Sequence, residues 1–211
     1  MSPKKQHYEN LADGLIEKFN ARGIEGYYCD NKEEALATIK RLLTPGSSVS
    51  WGGSETLKEV GVIDELKNSD YVVYDRASVS SQEESEELYS KIVNADYFFM
   101  SSNAITMDGQ LVNIDGSGNR VACLIYGPKN VIVVAGMNKI AGTVEEAIAR
   151  VHNVACPPNT IRLNKNTPCA KYGRCGNCLS PDTICCQVVV TRRSRIPNRI
   201  KVILVGEELG Y

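Results

Sequence analysis

The chain has 211 residues, of which 43% are hydrophobic and 23% are charged, and its formal net charge is -1. This length and apolar content are typical of a single globular domain with a well-buried core. The near-zero net charge excludes the global basic field that attracts nucleic acid or an anionic membrane.

The N-terminal segment and the hydropathy of the chain predict its location. Residues 1–23 lack the apolar stretch of a secretion signal, and no apolar run approaches the roughly 20 residues that cross a bilayer. We therefore expect a cytoplasmic protein with neither a membrane nor nucleic acid as a partner. In that reducing compartment, the eight cysteines favour metal binding or thiol chemistry over a disulfide framework.

The first half of the chain alternates between helix and strand patterns. Apolar side chains recur at helical spacing in four segments, and short runs rich in β-branched and aromatic residues separate them. The predicted helices are 5–22, 31–43, a segment that starts at 55, and 82–93; the predicted strands are 48–51 and 71–74.

The middle of the chain is richer in strands. We predict strands over 96–100, 110–114 and 130–135, and the dipeptide Asp108-Gly109 predicts a hairpin turn between the first two. Thr143 and Glu146 form the pattern of a capping box for a helix that runs to about residue 152. Strands that alternate with helices favour a three-layer α/β fold with a mostly parallel sheet, although they do not define strand order.

The chain changes character from about residue 153. A cysteine-rich loop over 153–186 is followed by two predicted strands, 187–191 and 199–205, and the polar segment RRSRIPNR between them suits a hairpin loop.

Five cysteines lie within eighteen residues, with the spacing C-x5-C-x2-C-x6-C-C. The central Cys-Gly-Asn-Cys has the form of a metal-binding knuckle, and the alternative is a set of free thiols. Zinc is slightly favoured over a [4Fe–4S] cluster, because the spacing departs from that of ferredoxins. We predict four ligands and one substitute: Cys169, Cys175, Cys178 and Cys185, with Cys186 in place of Cys185. Cys156 is a possible spare ligand.

Two glycine-rich loops are candidate anion-binding sites. The first follows a strand and opens a helix, where free backbone N–H groups favour an anion; its alternative is a tight turn with a serine cap. The second can fold back with converging N–H groups, and Arg120 suits a carboxylate or phosphate, while Asp115 is a weak candidate for a general base. The loop residues are Gly52, Gly53, Ser54, Asp115, Gly116, Gly118, Asn119 and Arg120. Asn103, Thr106 and Lys139 should reach the same rim, although Lys139 has the alternative of a solvated surface lysine.

Three segments resemble the lactate-utilisation, or LUD-domain, family: GGSETLKEVGVIDEL at 52–66, SSNAITMDGQLVNIDGSGNRVACLIYGPKNVIVVAGMNKI at 101–140, and the closing IKVILVGEELGY. The resemblance implies a fold like that of ribose-phosphate isomerases and CoA transferases, and a single domain over residues 1–211. It also implies a link to the oxidation of L-lactate alongside iron–sulfur partner subunits. The cysteine-bearing tail is similar to that of a stand-alone subgroup of the family.

We therefore expect a protein of lactate or hydroxy-acid metabolism that binds a small anionic metabolite at the two glycine-rich loops. One alternative is an assembly subunit without chemistry of its own, held together by a metal. The other is an iron–sulfur electron-transfer subunit of an L-lactate-oxidising complex.

Overall fold

The computed structural model describes residues 2–211. Within them, two sheets are built from the strands β1 (Glu25–Cys29), β2 (Ser48–Trp51), β3 (Val72–Tyr74), β4 (Tyr97–Met100), β5 (Ala104–Thr106), β6 (Leu111–Asp115), β7 (Asn130–Gly136), β8 (Ile140–Ala141), β9 (Gln187–Thr191) and β10 (Ile200–Val205). The helices are α1 (Pro3–Ala21), α2 (Lys32–Leu42), α3 (Glu55–Glu59), α4 (Val62–Asn68), α5 (Gln82–Ile92), α6 (Asn119–Ile125), α7 (Val144–Arg150), α8 (Cys156–Arg162) and α9 (Pro168–Tyr172). A π-helical turn, Val151–Ala155, joins α7 to α8, and 3-10 turns occupy Arg76–Ser78 and Met137–Lys139.

The main sheet has six strands in the order β1-β10-β7-β4-β2-β3, and every neighbouring pair is parallel. Its central strands are buried on both faces, which explains their continuous runs of β-branched and aromatic residues. Side chains of β7 alternate between the two faces: Val131 and Val133 pack with α1, α5 and α6, while Ile132 and Val134 pack with α2, α3 and α4. The structure thus confirms a three-layer α/β fold with a mostly parallel sheet.

The second sheet has four strands in the order β8-β5-β6-β9. The turn predicted at Asp108-Gly109 is present, with Gly109 at a φ of +84°, but one of its two predicted strands is wrong. The turn joins β6 to β5 in an antiparallel pair, whereas β4, the strand predicted over 96–100, lies in the main sheet between β2 and β7. The expectation of a hairpin between the last two strands is wrong. β9 pairs antiparallel with β6 in the second sheet, whereas β10 lies between β1 and β7 in the first. The physical reason is burial: β10 is apolar enough to be central, whereas β9 is largely exposed.

Three helices lie where no helix was predicted. The loop that follows β6 leads directly into α6, whose N-cap is Gly118 in the left-handed region, with a φ of +84°. Segment 153–186, predicted as a loop, contains α8 and α9, and its residues 163–167 and 173–186 lack helix and strand. No helix within residues 2–211 is both long and apolar enough to span a membrane.

Gly136 ends β7 at a crowded point, and its replacement by Ala should destabilise the protein. The added Cβ would lie 2.7 Å from the Glu207 carbonyl oxygen and 2.7 Å from the Leu209 backbone nitrogen. Crowding of this kind costs about 1–3 kcal/mol, which a urea unfolding curve would measure. The matched control is Gly14→Ala in α1, where nothing lies within 4 Å and a gain of about 0.5–1 kcal/mol is expected. Equal midpoints for the two variants would contradict this description of the β7 end.

Candidate functional site

A cavity of about 340 Å³ lies beyond the carboxyl ends of the parallel strands β2, β4 and β7. Loops that follow these strands line it, together with the loop after β6, part of α8, and Gly210 and Tyr211. This position agrees with the general location of ligands in parallel α/β sheets. The volume is in the range of small-molecule pockets. We therefore treat this cavity as the candidate functional site.

The cavity brings together most of the loop residues predicted as ligand-binding: Gly53, Ser54, Asn103, Asp115, Gly116, Asn119, Arg120 and Lys139. Three others lie outside the lining. Gly52 packs against Arg120, where an added Cβ would lie 3.0 Å from the arginine Cδ. Thr106 closes the β5–β6 hairpin by accepting the Gln110 backbone N–H at 2.9 Å. Gly118 starts α6. A role in ligand binding stays a prediction for the whole set.

Ser54 is engaged in local structure. Its hydroxyl accepts the Leu57 backbone N–H at 3.2 Å and so caps α3. The alternative stated for this loop, a tight turn with a serine cap, is therefore present in the structure. Helix α3 is short, so its dipole adds little to anion binding at this loop.

Arg120 is fully occupied by protein acceptors. Its guanidinium donates to the Asp115 carboxylate at 2.8 Å, to two asparagine side chains, and to two backbone carbonyls. The other acceptors are Asn113 and Asn103 (Oδ1 of each), Ser101 O and Ile114 O. A guanidinium has five N–H donors, and these contacts use all of them. Burial lowers the pKa of Arg120, and the charge of Asp115 opposes that effect. The contacts favour a role in joining the cavity loops.

Asp115 completes this ion pair. Its side chain is 8% exposed, it lies 2.6 Å from Arg120 Nη2, and its second oxygen accepts the Val121 backbone N–H at 3.1 Å. A carboxylate held in this way suits a structural partner of Arg120 better than a general base, which needs a free oxygen toward its substrate.

Lys139 presents a different environment. The residue is 4% exposed, and its ammonium donates to Thr56 Oγ1 at 2.8 Å and to Ser101 Oγ at 3.0 Å. Both acceptors are uncharged hydroxyls. Burial lowers the pKa of Lys139 to about 7, and the positive charges of Arg150 and Arg120 contribute further. The alternative of a solvated surface lysine is therefore wrong, because the ammonium is desolvated at the wall of the cavity.

Sequence reasoning missed several residues at this site. The two hydrogen-bond partners of Lys139 are among them. Thr56 is the second residue of α3, which follows β2, and Ser101 comes directly after β4. Because both lie just beyond the carboxyl end of a parallel strand, the sequence position of each could have indicated a place at the site. Three cationic side chains, Arg76, Arg162 and Lys165, also line the cavity. Their contribution depends on the tertiary arrangement, and no local pattern marks them.

The cysteines are only partly gathered. Cys156 Sγ lies 3.4 Å from Cys185 Sγ, and Cys156 lines the cavity. This contact raises the pKa of Cys156 and lowers that of Cys185. Among residues 2–211, no group of three or more His, Cys, Asp or Glu side chains is arranged as a ready metal site. The ligand set Cys169, Cys175, Cys178 and Cys185, with Cys186 as substitute, stays a prediction.

Comparisons with known proteins place the chain. The family model described as the LUD domain matches residues 12–205. The fold is similar to a DUF162 family protein from Deinococcus radiodurans, at 14% identity and a TM-score of 0.56, with 94% of this chain and 98% of that chain covered. No curated protein matches the sequence.

Two further solved structures show weaker similarity. One is eIF2B delta from Chaetomium thermophilum, at 16% identity and a TM-score of 0.36, over 63% of this chain and 52% of that chain. The other is ribose 5-phosphate isomerase A from Methanocaldococcus jannaschii, at 15% identity and a TM-score of 0.33, over 74% of this chain and 64% of that chain.

Proposed function

The chain belongs to the LUD domain family, and we propose that it binds a small anionic metabolite, a hydroxy acid or a phosphate-bearing compound, in the cavity lined by Lys139. The observation that supports this proposal best is the buried ammonium of Lys139, whose two hydrogen-bond acceptors are both uncharged. A carboxylate or phosphate would supply the negative charge that this ammonium lacks.

The charge balance of the cavity supports an anion. Five cationic side chains line it: Arg76, Arg120, Lys139, Arg162 and Lys165. The two acidic side chains of the lining are each paired with an arginine, since Asp115 lies 2.6 Å from Arg120 and Glu55 lies 3.4 Å from Arg162. Positive charge therefore remains in excess around the cavity, and a low-dielectric concave wall strengthens its attraction for an anion.

The neighbours of Lys139 suggest how a ligand would be held. Thr56 and Ser101 fix the ammonium in one position through their hydroxyls. Ser101 is in turn joined to Arg120, whose Nη1 donates a hydrogen bond to the Ser101 carbonyl oxygen at 3.0 Å. The anion would meet a preorganised ammonium, so little ordering would be needed on binding. The link of the family to lactate makes hydroxy acids the first compounds to test.

Binding of a carboxylate should weaken as the pH rises through about 7. The free Lys139 loses its proton near that value, whereas a bound anion would hold the proton to higher pH. Binding is therefore linked to proton uptake above about pH 7, and the affinity should fall by up to about tenfold per pH unit. Isothermal titration calorimetry with L-lactate between about pH 6 and about pH 9 measures this slope, because the lactate carboxylate stays ionised throughout.

A thermal-shift panel of short hydroxy acids and sugar phosphates at about pH 6 would test the ligand class more broadly. We expect at least one compound to raise Tm in a concentration-dependent way. If no compound of the panel raises Tm, the proposed function fails; if a compound binds with equal affinity at both ends of the pH range, the assignment to Lys139 fails.

A further inference from the structure

We propose that Cys156, Cys169, Cys175 and Cys185 bind one thiophilic metal ion at the wall of the cavity. This ligand set replaces Cys178, which the sequence spacing predicted, with Cys156 from α8. The inference does not depend on the proposed function, because it concerns thiol groups and no residue assigned to the anion.

The first observation is the contact between two thiols that are distant in sequence. Cys156 Sγ and Cys185 Sγ lie 3.4 Å apart. Two thiolates bound at about 2.3 Å to one tetrahedral ion are about 3.8 Å apart, so this pair is already close to the required spacing. The segment that holds Cys185 is anchored, since the Cys186 backbone N–H donates to the Asp115 carbonyl at 2.9 Å and β9 follows at once.

The second observation places Cys169 beside the same helix. Thr160 lies one turn after Cys156 in α8, and its hydroxyl is 3.5 Å from Cys169 Sγ. Residues four apart in a helix share a face. Cys169 is 8% exposed and Cys156 is 5% exposed, so both thiols are held on the same buried side of α8.

The third observation concerns Cys175. The Asn177 backbone N–H donates to Cys175 Sγ at 3.4 Å, a contact that stabilises a thiolate. Gly176 packs against Pro168, where an added Cβ would lie 3.4 Å from the proline Cβ, so the knuckle rests on the turn that carries Cys169.

The two remaining cysteines of the segment fit the site less well. Cys186 is exposed, and its sulfur lies 3.8 Å from the Thr183 carbonyl oxygen. Among residues 2–211, the sulfurs of the other cysteines from 156 to 186 each have a hydrogen-bonding contact, and the Cys178 sulfur has none. Residues 173–186 have neither helix nor strand. A metal ion can therefore draw Cys175 inward toward the pair that is already in contact without breaking regular structure.

Anaerobic titration of the reduced protein with Co²⁺ tests the inference, because tetrahedral thiolate coordination gives intense visible absorption. We expect one equivalent of Co²⁺ to bind and Zn²⁺ to displace it. Cys156→Ser and Cys156→Ala should each lower the affinity at least about 100-fold, since even the loss of an outer contact to a metal ligand costs 10- to 100-fold. The matched controls Cys178→Ser and Cys186→Ser should leave the affinity within about threefold.

Circular dichroism checks that each variant folds. Loss of Co²⁺ binding in Cys178→Ser with retention in both Cys156 variants would overturn the proposal, as would a reduced wild-type protein that binds neither Co²⁺ nor Zn²⁺ and purifies without a cluster. If the anaerobically purified protein is brown, loss of the colour in Cys156→Ser would support the same four thiolates as ligands of an iron–sulfur cluster, and its persistence would contradict them.

Discussion

Replacement of Lys139 by Met should lower the affinity for the anionic ligand by about 10- to 100-fold. A hydrogen bond to a charged group contributes about 1.5–3 kcal/mol, and each 1.4 kcal/mol is a factor of ten in affinity. The Lys139 ammonium has only hydroxyl acceptors in the cavity wall, so the ligand would be its one charged partner there. Calorimetry at about pH 6, where the ammonium is protonated, measures the loss.

The free protein provides an independent readout for the same variant. The pKa of Lys139 falls from 10.5 to about 7 on folding. Between these values the unfolded chain binds more protons than the folded chain, so this group makes stability rise with pH across that window. Below about pH 7 the buried Lys139 is protonated, so the free energy of unfolding bears the full cost of burying its positive charge. Lys139→Met should therefore stabilise the free protein most below pH 7, and the gain should shrink toward pH 10.5.

Lys165 supplies the matched control, since it also lines the cavity but is only partly buried. Lys165→Met should change the affinity by less than about fivefold, because an exposed charge pair is worth about 0–1 kcal/mol. Equal losses in the two variants would show that the cavity acts through its overall charge and that Lys139 has no special position.

The fold was largely predictable from the sequence, and the reasons are local. The strands that became β4, β7 and β10 are buried on both faces, and such strands have continuous apolar runs that a single sequence reveals. The helix after Thr143 was marked by a capping box, which is present in the structure. Helix α6 gave no such signal: it starts at Gly118 without any side-chain cap. The partners of β9 depend on tertiary pairing, so no local pattern could assign that strand to the second sheet.

The site was predictable only in part. The loops after β2, β4, β6 and β7 converge because parallel strands direct their carboxyl ends to one edge, a rule that needs no structure. The burial and the hydrogen-bond partners of each side chain at that edge depend on residues far away in sequence. The Lys139 ammonium is bonded to Thr56, 83 residues away, and Cys156 meets a thiol 29 residues away. For this reason the sequence marks Lys139 and Arg120 as candidates but does not show that Lys139 lacks a charged partner whereas all five N–H donors of Arg120 are bonded.

Arg120 allows this distinction to be tested, because its replacement by Met should act on stability first. The change would leave the Asp115 carboxylate, 8% exposed, with the Val121 N–H as its remaining partner. Breaking one side of a buried ion pair costs about 3–5 kcal/mol, out of a total stability of about 5–15 kcal/mol. Urea unfolding should show a large drop in midpoint. Arg120→Lys should not restore it, since an ammonium cannot satisfy five acceptors arranged around a planar fork.

The control for Arg120 is Arg162→Met, which removes another cation of the cavity lining. Its pair with Glu55 is longer, at 3.4 Å, and its side chain is 30% exposed, so a loss below about 1 kcal/mol is expected. The double variant Arg120→Met/Asp115→Asn should recover part of the stability, because it removes the charge left without its partner. A stable Arg120→Met protein that no longer binds the anion would instead assign Arg120 to the ligand. The five contacts of its guanidinium favour the first outcome, in which Arg120 joins the loops and Lys139 remains the cation that the ligand meets.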